Sequence, residues 1–155
     1  MSPWNQGREL VQSLIDSEHV EKVRFNEGYA SELLRQARRH LISATSTAEI
    51  DPIGAYVLVY DAARKAMTAF LAIQNLRSTS RGGHIALVDV AKAQLDPPMG
   101  KLISSFDRMR SQRNVLEYRS YEMPEITKDD VMSDSERANE IIEMVDKLLG
   151  QMPVF

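Results

Sequence analysis

From Asp51 to Leu76 the chain reads DPIGAYVLVYDAARKAMTAFLAIQNL. An Asp-Pro pair opens the stretch, as expected of a helix N-cap and first helical position. Apolar residues then follow almost without interruption from Ile53 to Ile73. Roughly 25 residues is too long for a strand, and Asp61, Arg64 and Lys65 argue against a membrane span. A helix that is apolar nearly all round must be covered by other helices on most sides. The exceptions, Asp61, Arg64, Lys65 and Thr68, recur at helical spacing and form one narrow polar stripe. Within it Asp61 and Lys65 stand in the favourable i,i+4 order, so a half-buried ion pair between them is expected.

The remaining residues supply the cover. A chain of 155 residues fits one domain, and its 43% hydrophobic and 26% charged content is ordinary for a globular protein. Cysteine is absent, which excludes disulfides and thiolate zinc sites. Met1 to Gln12 lacks the apolar segment of a signal peptide, so a cytoplasmic location is expected. A net charge of −3 is not that of a general nucleic-acid coat. Charge is uneven, however. Arg77–Ser120 holds 8 basic and 4 acidic residues (+4), whereas Tyr121–Phe155 holds 3 basic and 9 acidic (−6). The basic segment suits either a local anion site or a partner for the acidic tail.

The periodicity predicts an all-α fold, an antiparallel bundle of about five to six helices, with no alternating strand pattern. A short amphipathic helix spans Gln6–Asp16, with Trp4 as a packing anchor before it and a connector over Glu18–Arg24. Asn26 is the expected cap of a second helix, whose core face carries Tyr29, Ala30, Leu33, Leu34, Ala37, Leu41 and Ala44. Its other face carries Arg35, Arg38, Arg39 and His40, either a solvated face or a phosphate-contacting strip. Ser43–Ile50 reads as a polar loop before the central helix, and Arg77–Gly83 as a loop after it. A helix from about His84 to Leu95 ends at Asp96-Pro97-Pro98. Another runs from about Met99 to Tyr118. Tyr121–Ile126 reads as a loop, Thr127 with Asp130 as a capping box, and the last helix as ending at Leu149 before Gly150. None of the three histidines stands at metal-ligand spacing from another ligand, so no metal or cofactor is expected.

Chemistry concentrates in KLISSFDRMRSQRNVLEY, Lys101 to Tyr118. Projected as a helix, Leu102, Phe106, Met109 and Leu116 centre an apolar face, with Ile103 beside them. Arg113 falls in the middle of that face, and Arg110 and Glu117 flank it. An unpaired buried guanidinium is costly. Two explanations stand: an i,i+4 pair between Arg113 and Glu117, or a cleft in which the forked donors of Arg113 grip a phosphate of RNA or a nucleotide. Arg108, Arg110 and Arg113 are the candidate RNA-binding residues.

The segment Arg113-Asn114-Val115-Leu116-Glu117-Tyr118 resembles the motif of the HEPN family, small all-helical domains. That motif is an Arg, usually followed by a polar residue, with a His four to six residues after the Arg. Arg113 and Asn114 match it, and Tyr118 occupies the histidine position. The central apolar helix followed by TSRGGH is also similar to the family pattern, and the likeness covers roughly residues 28–149. It implies a two-fold homodimer with the motifs facing each other. Many members are metal-independent endoribonucleases of toxin–antitoxin or phage-defence systems, commonly partnered by a nucleotidyltransferase-type antitoxin; others bind nucleotides or only assemble. By this resemblance Arg113, Asn114 and Tyr118 are the catalytic positions. A phenol, with a reference pKa of about 10, is a poor substitute for imidazole as a base near neutrality.

Overall fold

The computed structural model describes residues 2–118 and 125–155, with Tyr118 described by its backbone alone. Among these, six α-helices surround a core: α1 (Arg8–Asp16), α2 (Tyr29–Thr47), α3 (Pro52–Ile73), α4 (Gly83–Leu95), α5 (Gly100–Tyr118) and α6 (Lys128–Leu148). Two three-residue strands, β1 (Val20–Lys22) and β2 (Leu76–Ser78), pair antiparallel.

The central helix forms as its sequence predicts. Asp51 accepts a hydrogen bond from the Gly54 amide at 2.9 Å, and Pro52 takes the first helical position. Twelve of the 22 residues of α3 are buried, and half of those are alanines. Such small side chains let neighbouring helices approach closely. α2 lies along α3 most extensively, and α6, α5, α4 and β2 cover other sides.

Termini and connections correct several expectations. The second helix starts not at a cap by Asn26 but after Gly28, which is left-handed at φ 83° and provides no side-chain cap. The polar run Ser43–Thr47 is helical rather than a loop. Thr45 and Thr47 return their hydroxyls to the carbonyls of Leu41 and Ser43, at 3.1 and 2.9 Å, so these residues satisfy themselves inside α2. Part of the expected connector Glu18–Arg24 and part of the loop Arg77–Gly83 instead form the two strands. Three residues are too few to show alternation, and the pairing is a long-range event. Val20 and Leu76 are buried there, while Glu21 opposes Arg77 and accepts from its Nε at 2.8 Å. The capping box of α6 is present: Thr127 and Asp130 exchange side-chain and backbone bonds. Ala138, Ile141, Ile142 and Val145 face the core, but Leu149 is exposed beyond the helix end. The expected loop over Tyr121–Ile126 lies outside the described residues up to position 124.

Two contacts fix the start of α4. A Cβ on Gly82 would sit 2.0 Å from the His19 carbonyl oxygen, so the backbones meet there. The Thr79 amide donates to that same oxygen at 3.0 Å, and the Gly83 amide donates to the Thr79 carbonyl at 2.8 Å. At its other end α4 is held by Gln94, which exchanges reciprocal amide bonds of 2.8 and 2.7 Å with the buried Gln74. Trp4 donates its indole N–H to the Gln94 carbonyl at 3.1 Å. Among the described residues no helix is long and apolar enough to cross a membrane.

Candidate functional site

On α5, Ile103, Phe106, Met109 and Leu116 are buried, as the helical projection predicts. Arg113 lies on the same side, with its side chain 24% exposed. Its guanidinium meets Glu117 at 2.9 Å, the i,i+4 pair that the sequence offers as one explanation of a buried arginine. That pair does not use every donor. Arg113 Nε is buried and has no hydrogen-bond partner among the described residues. The guanidinium also lies over the ring of Tyr60, 5.8 Å from its centroid, within cation–π range.

Tyr60 is the hub. Its side chain is 2% exposed, its ring stacks on Phe106 of α5 at 5.8 Å, and its hydroxyl lies 2.6 Å from Nδ1 of His84 at the start of α4. Around this trio stand Arg64 and Asp61 from α3, with an Nη2–Oδ1 contact of 2.7 Å, and Arg110 and Asp107 from α5, at 3.0 Å. Lys65 does not pair with Asp61 as expected. It donates to Gln36 at 3.0 Å and to His40 Nε2 at 2.7 Å, because α2 packs on that side and offers acceptors. Asp61 pairs with Arg64 instead, at i,i+3.

The cluster shapes its own titration. Burial holds the His84 imidazole below its ordinary pKa, and the cations Arg64 and Arg113 add to the effect against Asp61. Burial pushes the Tyr60 phenol up to about 12, although Arg64, Arg113 and Arg110 pull the other way. His40 is lowered by burial and then by Lys65, which fits a neutral ring accepting the lysine proton.

The sequence-predicted residues fall in three places. Arg110, Arg113 and Asn114 share one region of α5 and are partly buried. Arg108 stands about 140° round the helix from Arg113. It binds both carboxylate oxygens of Asp134 on α6, and Asp134 also accepts from Tyr56 at 2.7 Å. The side chain of Tyr118 lies outside the described residues. On α2, Arg35 pairs with Glu32 and Arg38 with Glu143 and Asp146, while His40 turns to Lys65. Sequence reasoning did not place Tyr60, Arg64 or His84 in the site. The polar stripe of α3 was a signal for Arg64, and Tyr60 lies one turn before it. His84 stands at a helix start, where exposed backbone N–H groups welcome an anion, but by sequence a lone histidine there reads as structural or solvated, and it meets Tyr60 only through the docking of α4.

The arrangement suits an anion. Three arginines (Arg64, Arg110 and Arg113) stand over this partly buried surface, each with one carboxylate partner (Asp61, Asp107 and Glu117). Among the described residues no group of acidic or histidine side chains is placed to hold a metal ion. The model of the HEPN domain family matches residues 30–148, a span that contains every member of the cluster. No curated protein and no solved structure matches the chain.

Proposed function

The chain belongs to the HEPN domain family, and from that premise we propose that it acts as a homodimer binding RNA, with Arg113, Arg110 and Asn114 contacting the phosphate backbone at the dimer cleft. Family membership points to nucleotide- or RNA-related work in general. One observation supports the more specific reading. Arg113 is held over Tyr60 with its side chain still 24% exposed, and Glu117 is the one salt-bridge partner of its guanidinium among the described residues. A phosphodiester offers two non-bridging oxygens to such a fork.

The same geometry suits cleavage. Arginine donors placed before an ordered phosphate stabilise the charge gathered there when the neighbouring 2′-oxygen, its proton lost to water, bonds to phosphorus and the 5′-oxygen leaves with a proton from water, giving a 2′,3′-cyclic phosphate and a 5′-hydroxyl. The proposed activity is therefore endoribonuclease, within a toxin–antitoxin or phage-defence pair whose partner is a nucleotidyltransferase-type antitoxin. A second reading draws on the 2.9 Å Arg113–Glu117 pair: an inactive interaction module in which that pair serves the interface.

Two measurements test these readings, and the second separates them. Light scattering behind size exclusion should give a dimer at tens of micromolar, an order-of-magnitude choice; a monomer removes the dimer cleft. Anisotropy with a labelled single-stranded RNA should show affinity falling with salt, with a slope reporting a few phosphate contacts. Arg113→Ala should weaken binding about 10- to 100-fold, the worth of hydrogen bonds to a charged group. A dimer without RNA affinity, destabilised by Arg113→Ala, is the interaction module. RNA binding unchanged by Arg110→Ala and Arg113→Ala would place the site elsewhere.

A further inference from the structure

We infer that His84 and Arg113 are two arms of one phosphate site, joined through Tyr60, and that His84 gains a proton as the phosphate binds. The inference rests on the RNA-binding reading and assigns it a residue remote in sequence from the α5 motif.

The Tyr60 hydroxyl meets His84, and the Tyr60 ring meets Arg113. The hydroxyl lies in a nearly closed environment, and its hydrogen needs an acceptor. Among the described residues its one side-chain partner is His84 Nδ1, at 2.6 Å. Tyr60 keeps its proton throughout the neutral range, since burial raises its pKa. The hydroxyl therefore donates and Nδ1 accepts. A neutral imidazole that accepts at Nδ1 carries its hydrogen on Nε2. Nε2 makes no hydrogen bond among the described residues, and the His84 residue is partly exposed. Tyr60 thus leaves His84 a second ring nitrogen as donor, and Arg113 is among the cations that act on that ring.

The same packing couples that donor to charge. The groups acting on His84 are Tyr60, Asp61 and Arg64 of α3 and Arg110 and Arg113 of α5. In the free protein the arginines and burial keep the second proton off the ring. A bound phosphate diester brings negative charge among those arginines and offsets their repulsion. The ring then binds a proton more readily, and by linkage the ligand binds more tightly as pH falls.

The probe is a rhodamine-labelled single-stranded RNA, whose phosphodiesters do not titrate between pH 6 and 8. Wild-type affinity should rise about three- to tenfold from pH 8 to pH 6 at constant salt, a tenfold gain corresponding to one pKa unit of linkage. His84→Gln should flatten that profile, whereas His40→Gln should keep it. Imidazole 15N shifts of the wild-type protein at pH 8 provide a check that needs no variant: Nδ1 of His84 should be unprotonated and Nε2 protonated. A proton on Nδ1 overturns the inference. RNA affinity that is lost in Arg113→Ala yet independent of pH and of His84 overturns it while leaving the RNA reading intact. Absence of RNA binding at either pH overturns both.

Discussion

Tyr56 and Asp134 meet inside the protein between α3 and α6, the phenol donating to Oδ2 of the carboxylate at 2.7 Å. Asp134 is only 5% exposed. A carboxylate there is tolerable only with donors around it, and Arg108 supplies two more. The hydrogen bond to Asp134 raises the pKa of Arg108, and burial with the Asp134 bond raises that of Tyr56. Arg108 is thereby committed to holding α5 against α6.

Substitutions in this trio should read out as stability. Asp134→Ala leaves the Tyr56 hydroxyl without its acceptor and should cost about 1–3 kcal/mol. Arg108→Ala should cost about as much, because it strips donors from a buried carboxylate; its own half-exposed position keeps the figure below that of a fully buried pair. Urea denaturation measures both. If Arg108→Ala leaves stability untouched and weakens RNA binding as much as Arg113→Ala, Arg108 is a ligand contact first.

In the proposed RNA site, Glu117 would compete with a phosphate for Arg113, which it meets at 2.9 Å. Glu117→Gln removes the competing charge while keeping the shape of the side chain. RNA affinity should rise a few-fold, and stability should change by less than about 1 kcal/mol, since the pair is part-exposed. Weaker RNA binding in this variant would mean that Glu117 orients Arg113 rather than restraining it.

The buried histidines tie stability to pH. The folded-state pKa values of His40 and His84 lie below the ordinary value. As pH falls through about 6.5, the unfolded chain takes up protons first. The contribution of these rings is therefore full above that pH and declines below it, until the folded-state values are passed. Thermal melts between pH 8 and pH 5.5 should show a falling Tm in wild type. The double variant His40→Gln, His84→Gln should fall less steeply; parallel curves would show that these rings do not set the slope.

Tyr118 ends α5, where the resemblance puts the motif histidine. At its reference pKa only about one phenol in a thousand is ionised at neutral pH. We expect it to orient or stack on the ligand rather than take a proton. Tyr118→Phe should weaken RNA binding by no more than about 0.5–1.5 kcal/mol, the value of one hydrogen bond. Tyr118→His should raise cleavage above wild type in a single-turnover assay. Fast wild-type cleavage that disappears in Tyr118→Phe, with binding retained, would make the phenol chemically essential.

Sequence alone determined what depends on local pattern. The length and apolarity of Asp51–Ile73 required a covered central helix, with Asp51 and Pro52 marking its start. The reciprocal chemistry of Thr127 and Asp130 marked the start of α6. Helical spacing on α5 placed Arg113 among buried neighbours. Tertiary structure decided what depends on contacts between distant segments. The hydroxyl-rich end of α2 is helical because Leu41, Ala44 and Ala48 are buried in the core that α2 shares with α3, while its hydroxyls bond back to its own carbonyls. Glu18–Arg24 yields a strand only because Leu76–Ser78 arrives to pair with it. Lys65 leaves Asp61 because α2 presents Gln36 and His40. Above all, the meeting of His84, Tyr60 and Arg113 comes from three helices far apart in sequence. A periodic pattern shows which face of each helix is buried, but the partner across that face follows from how the helices dock.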